Sequence, residues 1–220
     1  MKKVIIFGTT DFAEVVNYYL NKDTDYEVVC FTLDKAYIKD NSFNNLPIVE
    51  FENIEDVYPP SEYSMFVAIG YNKMNKIREK KYLEAKNKGY KLITYIAPRV
   101  SLYDNVEIGD NCFIFEDNTL QPFSKIGNNA ILWSGNHLGH HSIIEDNCFI
   151  TSHVVIAGRV VVRNNTFIGI NSTIRDNIII GKENMIGAGS LILKNTEDYS
   201  VFSPEETAKS KVPSNRLRGI

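Results

Sequence analysis

All four histidines of the chain, His137, His140, His141 and His153, fall in one short stretch. Imidazole is the side chain that most readily takes or gives a proton near neutral pH, and it is also a common metal ligand. Counting by eighteen puts Asp104, Pro122, His140, Gly158 and Asp176 in one register. A fold repeating with that period would stack His140 beside Gly158. A neutral His140 could then act as general base for an amine or hydroxyl attacking a thioester. The Gly158 peptide could approach closely and donate its N–H to the developing oxyanion. His141, or a nearby carboxylate, could fix the tautomer of His140. Two other readings stand beside this one. The histidines could cap polar edges, or they could bind zinc, which needs three convergent nitrogens and an open position. Adjacent His140 and His141 at a turn would tend to diverge.

The element that must position these residues is a repeat. Every sixth residue from Ile96 to Ile192 is Ile, Leu or Val. Segments such as Ile108-Gly-Asp-Asn-Cys-Phe, Ile126-Gly-Asn-Asn-Ala-Ile and Ile144-Glu-Asp-Asn-Cys-Phe recur eighteen residues apart. Three short strands per coil, turning at Gly, Asp and Asn, make a triangular prism of stacked parallel strands about 4.8 Å apart. The sixth-position aliphatics point inward. The residue four places on is usually small, as at Ser124, Ala130, Ser142, Cys148, Thr166, Ser172 and Ser190, which suits a narrow interior. An amphipathic helix is excluded, since six is a poor match to 3.6 over this length.

Residues 1–95 read as a small Rossmann-like α/β domain with a parallel sheet. Strands are expected at Val4–Phe7, Glu27–Leu33 and Ser64–Ile69, with helices over 11–20 and 73–88. Lys91 to Ile96 leads into the first coil. A ligand would sit at the carboxyl ends of the strands, near Gly8-Thr9-Thr10, Asp34 and Gly70-Tyr71-Asn72. The glycine signal there is weak, because Asp11 and Ala13 stand where a dinucleotide fingerprint wants glycine. The expected division is 1–95, 96–195 and a tail over 196–220.

Composition narrows the partners. A net charge of −3 gives no reason to expect nucleic acid as a partner, which needs a concentrated basic surface. No apolar run approaches the length of a membrane span, and Met-Lys-Lys runs straight into a strand, so a cytoplasmic protein is expected. Cys30, Cys112 and Cys148 show no CxxC spacing and read as buried, reduced thiols. Cys112 and Cys148 would lie two coils apart, about 9–10 Å, beyond disulfide reach.

With these motifs in place, the chain resembles the bacterial sugar O- and N-acyltransferases related to sialic acid O-acetyltransferases and nucleotide-aminosugar acetyltransferases. The resemblance rests on Val4-Ile5-Ile6-Phe7-Gly8, Ala68-Ile69-Gly70-Tyr71-Asn72, the unbroken hexapeptides and Asn136-His137-Leu138-Gly139-His140-His141-Ser142. Ile168-Gly169-Ile170-Asn171-Ser172 and Ile186-Gly187-Ala188-Gly189-Ser190 continue it. It implies a left-handed parallel β-helix, a homotrimer with active sites between subunits, and acetyl-CoA as acyl donor with no metal. His140 matches the catalytic base, Gly158 the peptide facing the thioester, and Ile170 and Ala188 the peptides lining the pantetheine arm. Gly8, Thr9, Asp34 and Gly70 match positions near a nucleotide-linked sugar, and Asn136 is taken as a further acceptor contact.

Three departures are visible. The glycine-rich loop becomes Gly8-Thr9-Thr10-Asp11-Phe12-Ala13-Glu14, which brings acidic groups near a diphosphate position. The acidic partner usual after the catalytic histidine is His141. The tail lacks the common Gly-x-Pro-Ala ending and carries Lys209, Lys211, Arg216 and Arg218, which either meet coenzyme A phosphates or are simply solvated. Two rival functions remain: a metal-dependent hydratase-like enzyme on the same prism, and a non-catalytic sugar-nucleotide-binding module.

Overall fold

The structure, a computed structural model, describes residues 2–216. Strand β1 (Lys2–Phe7) is the apolar run expected at the start, and Val4 to Ile6 are fully buried. Helix α1 (Asp11–Asp23) buries Ala13, Val16 and Leu20 on one face and runs three residues beyond the expected end. Strand β2 (Tyr26–Leu33) follows. A short antiparallel pair, β3 (Ser42–Phe43) and β4 (Leu46–Glu50), comes next, and then a single turn, α2 (Ile54–Val57). None of these last three elements is legible in the periodicity. Strand β5 (Tyr63–Val67), helix α3 (Lys76–Asn87) and β6 (Lys91–Leu92) complete the unit.

The sheet order is β3-β4-β2-β1-β5-β6. Every neighbour pair is parallel except β3 with β4, so the expected all-parallel sheet carries one antiparallel edge strand. Strands β1, β2 and β5 lie side by side, which brings Gly8, Asp34 and Gly70 to one edge. Helix α3 starts at Lys76 and not at Lys73. Lys73, Met74 and Asn75 have φ of 50°, 52° and 63°, a left-handed conformation that no α-helix can contain.

From Tyr95 onward the chain winds as a three-sided prism. A first sheet runs from rung Tyr95–Ile96 through Phe113–Ile114, Ile131–Leu132, Phe149–Ile150 and Phe167–Ile168 to Met185–Ile186 and Val201–Phe202. The second contains His137–Leu138, and the third Ile143–Ile144. Partners in each ladder are eighteen residues apart, such as Phe113 with Ile131. The aliphatics from Ile114 to Ile192 form one buried interior column. Each such side chain contributes about 1.5–3 kcal/mol of burial. Ser124, Ser142, Thr166, Ser172 and Ser190 are buried too, each hydroxyl donating to a corner carbonyl at 2.6–2.9 Å. The rung Tyr95–Ile96 straddles the 95/96 boundary, and Val201–Phe202 adds a rung within the segment read as tail.

The outward residues of the first sheet are what join the two units. Tyr95, Phe113, Ile131, Phe149 and Phe167 pack with α1, β1 and β5 in one cluster. Phe12 meets Phe113 and Trp133, and Tyr19 meets Phe115. The remaining two sides of the prism are left uncovered. No helix among the described residues is long and apolar enough to cross a membrane.

Candidate active site

A three-sided coil must turn a corner every six residues. From Asn111 to Gly189, every sixth residue has a positive φ. Asn, Asp and Gly fill most of these positions, because they tolerate the left-handed region. The corner between the second and third sheets is different. It carries Phe123, His141 and Arg159 on successive coils, at φ 65°, 59° and 58°. Such residues there cost about 1–2 kcal/mol each, and strain of this kind collects at functional sites.

His140 sits on this corner, exposed, immediately before His141. Its peptide N–H donates to Gln121 Oε1 at 2.9 Å, and its carbonyl accepts from Arg159 N–H at 2.9 Å. The Nδ1 atoms of His140 and His141 are 3.1 Å apart, a hydrogen bond in which the protonated nitrogen donates. The His141 ring in turn rests on Phe123, with centroids 4.8 Å apart. His140 is therefore held on its Nδ1 side.

Its other edge lies over Gly158. A Cβ added to Gly158 would come within 2.8 Å of both Nε2 and Cε1 of His140. The glycine is needed for space and not for its backbone angle. No hydrogen bond among the described residues uses the N–H of Gly158, Ile170 or Ala188. Peptides at the corner between the third and first sheets are spent: Asn128 N–H donates to Asp146 Oδ1 at 2.6 Å, and Asn164 N–H to Glu145 Oε2 at 3.1 Å.

The structure thus brings His140, His141 and Gly158 together. It puts Ile170 and Ala188 one coil apart, both exposed, on the corner between the first and second sheets. Within one chain the second sheet separates those two peptides from His140. Asn136 is buried and already committed. It donates to the Trp133 carbonyl, and its Oδ1 accepts from Val154 N–H at 2.7 Å, so its side chain serves the coil stack. His137 points outward from the second sheet between Thr119 and Val155. His153 lies against Gly135 on the other corner. Among the described residues, no group of three His, Cys, Asp or Glu is placed to hold a metal ion.

At the strand ends, Gly8 has φ 124° and its Cα approaches Ala68 O so closely that a Cβ would lie 2.7 Å away. Thr9 follows, half-buried, and Asp11 and Glu14 do stand in the first turn of α1. Asp34 is already paired, accepting from Lys81 Nζ at 2.6 Å. The Gly70 carbonyl accepts from Arg78 Nη1 at 2.8 Å. Arg78 went unnoticed in the sequence, since one arginine among the lysines of a polar helix carries no mark of burial. It is nevertheless fully buried. Lys209, Lys211 and Arg216 of the tail are exposed, and Arg218 lies outside the described residues. An open groove runs along the third sheet, between Glu107, Lys125, Ile143 and Glu145. It does not include His140, and the corner geometry is the better guide to chemistry.

Comparison with known proteins agrees with this architecture. Residues 3–85 match the PglD N-terminal domain, and residues 123–158 and 159–194 match the bacterial transferase hexapeptide (six repeats). No curated protein matches the chain in sequence. Among solved structures, the acetyltransferase domain of PglB from Neisseria gonorrhoeae is similar at TM-score 0.81 and 20% identity, covering 91% of this chain and 96% of that one. PerB from Caulobacter crescentus, in complex with CoA and GDP-perosamine, gives TM-score 0.80 and 23% identity over 90% and 92%. WeeI from Acinetobacter baumannii gives 0.76 and 18% over 90% and 94%. The prism is accordingly a left-handed parallel β-helix behind a Rossmann-like domain, as the sequence resemblance implied.

Proposed function

We propose that this chain, a PglD N-terminal domain joined to bacterial transferase hexapeptide repeats, is an acyl-CoA-dependent acyltransferase acting on the amine or hydroxyl of a sugar, free or nucleotide-linked, with acetyl-CoA as donor. The observation that carries it is the His140–Gly158 pair: an imidazole fixed at Nδ1 by His141, its Nε2 edge over a glycine whose N–H is unused. The solved structures of PerB with CoA and GDP-perosamine, and of the PglB acetyltransferase domain with acetyl coenzyme A, support the substrate classes.

In this reading His141 accepts the Nδ1–H of His140 and leaves the Nε2 lone pair free. The acceptor nitrogen or oxygen attacks the thioester carbonyl carbon while His140 Nε2 takes its proton. Gly158 N–H donates to the oxyanion of the tetrahedral intermediate. The C–S bond then breaks, and the departing thiolate receives the proton from His140. No acyl-enzyme forms.

The amides of Ile170 and Ala188 are open donors for the amide-bearing pantetheine arm. They lie on a different corner from His140, and the N-terminal unit covers the side of the prism opposite that histidine. Donor arm, base and acceptor domain therefore meet only if copies of the chain combine, which supports a homotrimer with sites between subunits. Three unpaired thiols suit a cytoplasmic enzyme.

The test is calorimetric titration with acetyl-CoA of the wild type and of Gly158→Trp, followed by turnover of His140→Ala on a panel of amino and hydroxy sugars. Micromolar binding lost in Gly158→Trp is expected, with kcat about 10²–10⁴-fold lower in His140→Ala and the oligomer intact. A wild type that binds no acetyl-CoA would sink the donor assignment, and near-normal turnover by His140→Ala would sink the base.

A further inference from the structure

The segment linking β5 to α3 is the most strained stretch of the N-terminal unit. Lys73, Met74 and Asn75 are three consecutive non-glycine residues in the left-handed region. Single residues visit that region, whereas runs of them are rare because each carries a cost. Such a conformation persists only where its surroundings over-determine it.

Here they do. The Asn75 side chain is completely buried, its Nδ2 donating to Asn165 O at 2.9 Å on the prism. Its Oδ1 accepts from Arg78 Nη1 at 3.0 Å. Arg78 is fully buried and, among the described residues, has no carboxylate partner; its acceptors are backbone carbonyls and the Asn75 amide. It donates to the Ile69 and Gly70 carbonyls at 3.4 and 2.8 Å, and to Asn129, Asn147 and Cys148 carbonyls on adjacent coils at 3.3, 2.8 and 3.2 Å. Burial pulls the guanidinium down to about 9, which leaves it a cation at neutral pH. One side chain thus ties the carboxyl end of β5 to two coils of the prism.

What this clamp presents is Tyr71. Its ring packs against Phe149 and Phe167, with centroids 5.1 and 4.7 Å away, yet the residue remains 53% exposed. An aromatic ring braced by two others and still half exposed can serve as a stacking platform, here at the strand ends where Gly8 and Gly70 converge.

We propose that Tyr71 takes the face of a ring in the acceptor, a nucleobase or a pyranose, and that Asn75 and Arg78 are positioning residues that hold it against the prism. This rests on the reading of the strand ends as the acceptor site. Stacking on an aromatic ring is tolerant of ring type and strong enough to read by substitution. The buried cation and the strained loop make the platform rigid before a ligand arrives.

The experiment is calorimetry of the full-length protein with GDP, UDP, dTDP and glucosamine, each alone, and with acetyl-CoA as a separate titrant. The variants are Tyr71→Ala, Arg78→Lys and Asn75→Gly. The last relieves the left-handed strain and removes both side-chain bonds, so it separates positioning from folding. The wild type is expected to bind at least one of the four probes, weakened about tenfold or more in Tyr71→Ala and several-fold in Asn75→Gly and Arg78→Lys. Acetyl-CoA affinity should stay within about twofold throughout. Amide exchange across residues 69–75 should rise in Asn75→Gly. Binding by a nucleoside diphosphate assigns the nucleobase to Tyr71, and binding by glucosamine alone assigns the pyranose. No probe bound by a wild type that does bind acetyl-CoA overturns the proposal, as does unchanged probe affinity in Tyr71→Ala and Asn75→Gly. A wild type without acetyl-CoA affinity overturns the acyl-transfer reading instead, and the four probes still decide the platform.

Discussion

Replacing Gly158 with Ala isolates the geometry of the candidate base from its chemistry. The added methyl would sit 2.8 Å from Nε2 and Cε1 of His140 and 3.3 Å from Cδ2, about 0.6 Å inside the 3.4 Å onset of ordinary contact. The φ of Gly158 is not positive, so the backbone accepts alanine without strain. The imidazole is exposed and can swing away, which makes the stability cost small, below about 1 kcal/mol for an exposed site. Swinging breaks the 3.1 Å contact with His141 and moves Nε2 by several tenths of an ångström or more. Misplacement of about 1 Å at a reacting group costs roughly 10²-fold in rate. Gly158→Ala should therefore lower kcat about 10–100-fold while Tm moves by no more than about 4 °C. Gly89→Ala is the control. It has φ 89° and an added Cβ would meet only Pro60, at 3.6 Å, so it should lose about 1 kcal/mol of stability to backbone strain and little turnover. Steady-state acyl transfer by thiol release, alongside calorimetric melting of both variants, decides the matter. Native kcat in Gly158→Ala would refute the claim that His140 works from its place over this peptide.

The other predictions are quicker to state. His141→Ala should lower kcat about tenfold or more by releasing the ring of His140, whereas His141→Asn, which suits the left-handed corner, should keep Tm and part of the rate; equal kcat in wild type and His141→Ala would remove the orienting role. Burial pushes the Cys30, Cys112 and Cys148 thiols up to about 12 from 9.0. All three should resist an aromatic disulfide reagent at pH 8 until the protein unfolds, and a fast-reacting thiol in the native state would contradict their placement. A raised folded pKa means that the unfolded chain loses these protons first. Their share of stability is complete below about pH 9 and should fade as pH rises from there towards 12, read as a falling Tm in alkaline melts that Cys→Ala variants flatten.

How much of this was legible beforehand follows from which interactions repeat. The prism is legible because one aliphatic every six residues has no other explanation, and the eighteen-residue register alone sets His140 beside Gly158. Asn136 reads in the sequence as a ligand contact because it stands beside the histidines. Burial within the coil stack, with its amide donating to Trp133 and accepting from Val154, is not written in local sequence. Arg78 was missed for the converse reason. Its six acceptors come from residues 69 to 148 and converge only once the two units pack. The start of α3 was misplaced because left-handed Lys73 and Met74 are chosen by tertiary contacts and not by their own preferences.

The same reasoning explains why a single chain shows no deep pocket at its chemistry. The aromatic side of the prism is consumed by the N-terminal unit, through Phe113, Phe149 and Phe167. The opposite corner carries His140, the candidate base. The open amides of Ile170 and Ala188 occupy another corner, and apolar Val155 and Ile179 stand exposed on the second and third sheets, at 42% and 37%. Strands buried on one face ordinarily turn polar residues outward, so aliphatics on these two faces call for a cover. A second copy laid against the His140 corner would cover them and bring a neighbour's amides to the thioester. Replacing Val155 with Glu should then dissociate the assembly and abolish turnover together, with each chain still folded; loss of turnover in an intact oligomer would mean that the site is complete within one subunit.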